Sequence, residues 1–242
     1  MKLSIVIPCY NESGNIPLII SRFQEVLGTR QDVEVLLVNN GSKDNSQEVF
    51  ERELKRVQDN RLRLVKVEVN QGYGFGILSG LKEATGDILA WTHADMQTDP
   101  KDVLTGFDLL QQQPNPFRVF VKGKRKNRRW IEAFFTWGMQ VLSSIVLKTS
   151  LDDINAQPKI FSRDFYNKFL TQEAPYDFSL DLYVLYQAKK NGYTILEIPV
   201  FFNKRIYGEA KGGGSFKTRI KLIKRTWKYI FELAKKLKKT DS

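Results

Sequence analysis

The chain of 242 residues carries a formal net charge of +11, with one cysteine, Cys9, and one histidine, His93. That length suits one large domain or a domain with an appendage, while the lone Cys and His exclude a disulfide framework, a cysteine zinc cluster and a multi-histidine metal site. The charge is uneven, since residues 201–242 hold 13 Lys and Arg against 3 Asp and Glu, and RVFVKGKRKNRR (118–129) has seven bases and no acid.

The opening MKLSIVIPCYNESG has a short apolar run without a small-residue cleavage site, so it reads as a first strand rather than a signal peptide. A helix is expected over 15–28, a strand at VEVLLV, and a helix over 44–59 with charges on its outer face. LRLVKVEV alternates as a strand, 75–84 suits a helix, DILAW is a strand, and 100–113 is helical with proline at its start. RVFVKG gives a further strand. This order of elements predicts an α/β fold with a mostly parallel sheet covered on both faces. Ligands of such sheets sit beyond the carboxyl ends of the strands, which puts 8–12, 39–42 and 93–97 on one rim.

Residues 130–147, WIEAFFTWGMQVLSSIVL, are the most apolar segment and carry one charge, Glu132. A spanning helix needs about 20 apolar residues. The segment therefore reads as interfacial helices, a buried core helix or a borderline span. KGGGS then forms a flexible hinge. Beyond it Ile220, Ile223, Trp227, Ile230, Ala234 and Leu237 recur three or four apart with bases opposite, the pattern of a basic amphipathic helix. A terminal helix docked on the core would show the same pattern.

Two loops invite chemistry. NQGYGFGILSG (70–80) fits neither the Rossmann nor the Walker spacing. It is a loop whose backbone at Gly72 can approach a ligand closely, opening a helix whose N-terminus favours anions. In AWTHADMQTDP (90–100) a strand end is followed by His93, Ala94, Asp95 and Gln97, a suitable arrangement for one divalent cation shared with a diphosphate. The plainer alternative is that Asp95 caps the following turn and His93 packs.

The segments SIVIPCYNES, VEVLLVNNGSKDNS, GDILAWTHADMQTDP and RIYGEAK, in this order from Ser4 to Lys211, resemble the successive motifs of family 2 glycosyltransferases of the GT-A fold. The branch they resemble most is the dolichyl-phosphate mannose synthase-like, polyprenyl-phosphate one. The resemblance implies a catalytic domain over 1–211, with an apolar helical insertion at about 128–149, and a basic helix over 212–242. It implies a nucleotide site at Pro8, Tyr10, Glu12, Asn40, Gly72, His93, Ala94, Asp95 and Lys211, and Mn²⁺ or Mg²⁺ at His93, Asp95 and Gln97. Arg125 falls where the family has a basic residue facing phosphate. DDINAQPKIFSR resembles the family segment usually read as Asp-x-x-x-Gly-Phe-x-x-Phe, giving Asp153, Gln157 and Lys159, and FSLDLYVLYQAKKNGYTILEIPV resembles the acceptor-side helix and last strand, with Asp181 at an acidic position. Asp95, Asp153, Asp181 and Arg125 are the catalytic candidates. Two departures stand out. Asn39 and Asn40 replace a pair of aspartates, and His93 replaces the first acid of the metal motif. Imidazole leans the expected ion toward Mn²⁺.

The implied reaction is inverting, metal-dependent transfer of a sugar from a nucleotide-diphosphate donor, such as a UDP- or GDP-sugar. The basic zones and apolar helices favour a polyprenyl (dolichyl or undecaprenyl) phosphate acceptor and peripheral attachment to the cytoplasmic face of a membrane. The alternative is a soluble enzyme acting on a saccharide hydroxyl. A nucleic-acid partner is not expected, because the tail aromatics follow a helical stripe rather than a stacking platform. Sequence leaves the sugar, the base and the oligomeric state open, a homo-oligomer included.

Overall fold

The structure is a computed structural model that describes residues 1–126, 144, 146–203, 205–207 and 227–235. Among these, seven strands form one sheet in the order β3-β2-β1-β4-β6-β5-β7. They are β1 (Leu3–Cys9), β2 (Val33–Asn40), β3 (Leu62–Val67), β4 (Ile88–Trp91), β5 (Val119–Lys126), β6 (Lys159–Ser162) and β7 (Thr194–Phe201). The pairs β1·β2, β1·β4, β2·β3 and β5·β7 are parallel, whereas β6 runs antiparallel to both β4 and β5. The mostly parallel sheet expected from the alternation is present. Its reversed strand was not anticipated.

Helices α1 (Ile16–Leu27), α2 (Ser46–Val57), α3 (Tyr73–Glu83) and α4 (Pro100–Gln111) follow the first four strands, and α5 (Arg163–Phe169) and α6 (Leu180–Lys190) lie later in the chain. The period-two alternation of β1 sorts the core. Leu3, Ile5, Ile7 and Cys9 face Ile16, Ile20 and Phe23 of α1 and Phe107 of α4. Val6 faces the other way, with Leu36, Val38 and Trp91, toward α3, α5 and α6. Both faces of the central strands are therefore dry, which is why LSIVIPC and VEVLLVNN read as nearly unbroken apolar runs. Each fully buried Ile or Leu contributes about 1.5–3 kcal/mol. Close approach of α3 to the sheet depends on Gly80, where a Cβ would lie 2.5 Å from the Val6 side chain.

α4 starts as predicted. Pro100 occupies its first turn and the Asp99 carboxylate accepts from the Lys101 N–H. α3 begins two residues before the expected position, because Gly72 adopts φ 126° and releases the chain into the helix at once.

A helix over 227–235, α7, packs Ile230 and Leu233 into the α6 side of the core. Trp227 and Phe231 are exposed. The predicted stripe had put Trp227 on the same face as Ile230. The observed buried face is turned away from it, because the docked side is set by Ile230 and Leu233, three residues apart. Of the apolar segment 130–147, only Ser144, Val146 and Leu147 are described, and Leu147 is buried. The remainder of that expectation, and Ile220, Ile223 and Leu237, lie outside the described residues. No helix among the described residues is long and apolar enough to cross a membrane.

Candidate active site

The carboxyl ends of β1, β2 and β4 open onto a cavity of about 330 Å³. Pro8, Tyr10, Glu12, Asn40, Gly72, His93, Ala94, Asp95 and Gln97 all line it, so the three loops expected on one rim meet there and the glycine-rich loop joins them. Hydrogen bonds between loops fix this rim. The Asn11 N–H donates to Ser42 Oγ at 3.0 Å, the Glu12 N–H to Ser46 Oγ at 3.2 Å, and the Lys43 N–H to Asn11 Oδ1 at 2.8 Å.

The two asparagines that replace aspartates have separate roles. Asn39 turns toward α2, accepting from the Ser42 N–H and donating to Gln47 Oε1 at 2.7 Å. Asn40 faces the cavity, with its Nδ2 donating to the Gly72 carbonyl at 3.0 Å. An aspartate has no donor for that carbonyl and would repel it. The Asn40 Oδ1 is buried and has no hydrogen-bond partner among the described residues. A buried acceptor of this kind is stabilised when a ligand N–H or O–H reaches it.

Asp95, also in the cavity wall, is 5% exposed. Its Oδ1 accepts from the Gln97 N–H at 3.1 Å, so it does cap the following turn, and its Oδ2 meets Arg205 Nη2 at 2.5 Å. Arg205 Nη1 also lies 3.8 Å from Glu12 Oε1. The Gln97 Nε2 donates to the Asn203 carbonyl at 3.2 Å. Residues 205–207 thus fold back over the β1 loop, where Asn15 Nδ2 donates to the Tyr207 carbonyl. Lys211 lies outside the described residues.

A divalent cation would find one carboxylate and one imidazole here, a hard oxygen and a borderline nitrogen. Among the described residues no cluster of three His, Cys, Asp or Glu side chains is placed to hold an ion without further ligands. Asp95 and His93 would hold such an ion only with further ligands from the bound molecule, and the Asp95 carboxylate would then be shared between the ion and Arg205.

The remaining candidates do not reach the cavity. Arg125, at the end of β5, is held by Asp153. Its N–H and Nε each donate to that carboxylate at 2.7 Å, and its Nη2 lies 2.5 Å from Oδ1. Asp181, 2% exposed, accepts from Gln157 Nε2 at 2.7 Å and faces Lys159 Nζ at 3.9 Å. Lys159 donates to the carbonyls of Ile154 and Ala156, and burial pushes its ammonium down to about 8. Gln157 Nε2 also reaches the Tyr73 hydroxyl at 3.3 Å. Burial raises that hydroxyl's pKa well above the usual range.

Sequence reading missed Asn70, Tyr73, Asp177 and Phe178 in the cavity wall, and did not give Arg205 a role. The glycine-rich loop carried the signal for the first two. Its small residues also admit a neighbouring loop. A Cβ on Gly72 or Gly74 would lie 2.3–2.4 Å from the carbonyls of Tyr176 and Pro175, and the Phe75 N–H donates to Tyr176 O at 3.0 Å. The glycines admit the 175–178 loop, and the Tyr73 ring stacks on Phe178 at 4.7 Å.

Comparison with known proteins gives the fold and the family. The fold resembles that of glucosyl-3-phosphoglycerate synthase from Mycobacterium tuberculosis in complex with Mn²⁺, UDP-glucose and phosphoglyceric acid, with a TM-score of 0.74 at 14% identity over 96% of this chain and 79% of that one. It is the GT-A fold. The undecaprenyl-phosphate 4-deoxy-4-formamido-L-arabinose transferase of Proteus mirabilis is 25% identical over 87% of this chain, which spans 62% of that protein's length. A dolichyl-phosphate beta-glucosyltransferase of Trichomonas vaginalis is 26% identical over 92% of this chain and 72% of its own. The family profile "Glycosyl transferase family 2" matches residues 4–174. With most of the chain so matched, and its motif residues gathered around one cavity, this protein belongs to glycosyl transferase family 2.

Proposed function

We propose that the chain transfers a sugar, with inversion, from a nucleoside diphosphate donor to a polyprenyl phosphate at a membrane surface. The observation that carries this reading is the cavity itself, whose wall holds Asn40 together with Asp95, His93 and Arg205. A nucleoside can donate to Asn40 Oδ1, and a diphosphate suits the Asp95, His93 and Arg205 group. Mn²⁺ or Mg²⁺ held by Asp95 and His93, with Gln97 beside them, would neutralise charge on the leaving diphosphate. Arg205 adds a guanidinium already placed among these groups.

The placement of the acids bears on the acceptor. A saccharide hydroxyl needs a general base within hydrogen-bond reach. Asp153 is engaged by Arg125, and Asp181 is buried against Gln157 and Lys159. A lipid phosphate is already anionic near neutral pH and needs positioning instead of deprotonation. Both curated relatives are named for polyprenyl phosphate acceptors. The basic zones of the sequence and the outward Trp227 and Phe231 support peripheral attachment, on the cytoplasmic face.

The test is transfer from radiolabelled UDP-, GDP- and dTDP-sugars, with Mn²⁺ or Mg²⁺, to undecaprenyl or dolichyl phosphate. Butanol-extractable label is expected, lost by about 100-fold or more in Asp95→Ala. Label found only on a water-soluble saccharide would overturn the lipid acceptor. Absence of nucleotide binding would overturn the whole reading.

A further inference from the structure

A second groove lies away from the cavity, at the open edge of the sheet. There β3 pairs with β2 and, among the described residues, with no other strand. The groove runs between β3 and α3 with a volume of about 610 Å³, and Val65, Val67, Val69, Phe75 and Ser79 are among the residues that line it. The ladder decides which backbone groups face outward. The Val35 N–H donates to the Arg61 carbonyl, so the odd residues of β3 bond to β2. The N–H and C=O of Leu62, Leu64 and Lys66 therefore point to the open side.

Alternation sorts the side chains. Leu62 and Leu64 pack on the α1 and α2 side of the sheet, Val65 and Val67 on the α3 side. Lys66 and Glu68 are exposed and lie 3.1 Å apart, and Val69, just past the strand, is 68% exposed. An unpaired edge is a template for another strand. What this one accepts follows from the order Val65-Lys66-Val67-Glu68-Val69, in which valines alternate with one base and one acid placed symmetrically about Val67.

A two-fold axis perpendicular to the sheet sets such a strand antiparallel to a second copy of itself. It keeps each face on its own side and pairs only residues of like parity. With Val67 on the axis, Lys66 stands opposite the partner's Glu68, Glu68 opposite the partner's Lys66, and Val65 opposite the partner's Val69. Two opposite-charge pairs form on one face and a row of valines beside the groove on the other. Centred on Lys66, the strands set base against base. Centred on Val65, they set Lys66 against leucine and Glu68 against leucine. Cross-strand pairs of opposite charge stabilise and like pairs oppose, so the Val67 register is selected.

We infer that β3 is a homodimer interface, at which two copies of this chain join edge to edge, antiparallel about Val67, into one continuous sheet. The pairing extends the strand by two residues, through Glu68 and Val69. Neither Lys66 nor Glu68 lines the catalytic cavity, and the inference does not rest on the glycosyltransferase reading.

The test follows the mass of the full chain by sedimentation velocity over a range of concentrations. The wild type is expected to dimerise. Lys66→Glu sets acid against acid and Glu68→Lys base against base, so each should weaken the dimer about tenfold or more. The double variant restores both pairs in the opposite sense and should recover the wild-type Kd within about threefold. An equimolar mixture of the two single variants should associate where neither does alone. A charge pair that acts only within one chain is not restored by mixing, so the mixture reports contact between chains. The register is read with Val67→Cys, because residues facing each other on the axis have Cα atoms about 4.5 Å apart, within disulfide range. Diamide should link two copies of that variant, and the wild-type Cys9, which is buried, serves as the control. A wild type that stays monomeric overturns the inference and leaves the groove to a strand from another protein. A dimer indifferent to both charge reversals overturns it as well. So does a mixture that fails to associate while both variants keep their thermal midpoints, or the absence of the Val67→Cys link.

Discussion

The two halves of the sheet are stabilised differently. In β1, β2 and β4 the strands are largely apolar and buried on both faces, and the loops at their carboxyl ends are joined by bonds between short neutral side chains and backbone, such as the Asn11 N–H to Ser42 and the Glu12 N–H to Ser46. From β5 to β7 the interior is ionic. Lys122 and Lys159 are both 0% exposed, and Lys122 lies 2.8 Å from Glu197 and 3.4 Å from Asp152. Arg125 is fastened to Asp153, and Lys159 faces Asp181. In the first half the rim loops are tied mainly by neutral bonds, with Arg205 reaching Asp95 and Glu12 as the ionic exception, while the second half fixes its charged groups against each other. Ionic interiors tolerate the loss of one partner badly, because the survivor is left buried and uncompensated.

That contrast can be broken most sharply at Asp153. Replacing it by alanine removes the carboxylate from Arg125 and is expected to cost about 3 kcal/mol of stability. The loss should be smaller in Asp153→Ala combined with Arg125→Ala than the two single losses together, with a coupling of about 1–3 kcal/mol in a double-mutant cycle followed by urea unfolding. Additive losses would mean that the pair is not a unit. A smaller effect is expected where the halves meet. In Gly74→Ala the new Cβ falls 2.4 Å from the Pro175 carbonyl and 2.8 Å from the Tyr176 carbonyl carbon, both backbone atoms. Moving that loop should cost about 1–3 kcal/mol and displace Asp177 and Phe178. Nucleotide-sugar affinity should then fall, as titration calorimetry can report.

The mildest test lies at Asp102, in the first turn of α4. Burial first, and the neighbouring Asp99 charge second, push its carboxyl up to about 6. An unfolded aspartate titrates near 3.9. Between those values the native state holds more protons than the unfolded one, so stability falls as pH rises from about 4 to about 6. Asp102→Asn should therefore be the more stable protein at pH 7, and the advantage should vanish by pH 3.5. Urea midpoints at the two pH values decide the matter.

The same division governs what the sequence disclosed. β1, β2 and β4 were legible because strands dry on both faces leave apolar runs, and their loops follow directly in the chain. Pro8, Asn40 and Asp95 could thus be placed on one rim before any coordinates. β6 was not, because KIFS has a buried lysine and serine in a four-residue strand, and only the Ile154 and Ala156 carbonyls and Asp181 make that lysine acceptable. Its partners are set by tertiary placement. The same holds for Tyr73, Asp177 and Phe178, whose meeting depends on loops about 100 residues apart. Arg125 and Asp153 were read as separate catalytic candidates, and their pairing across 28 positions left no local pattern.

The reversed strand β6 has a consequence for how this surface can change. A parallel strand delivers a loop to the rim as it leaves the sheet, whereas β6 delivers residues 153–157 as it enters. The rim is therefore supplied from both chain directions. Insertions or exchanges in the arriving loop can recast that part of the rim without shifting the register of the departing ones, a modularity that would let related chains vary one stretch of the rim while keeping the rest.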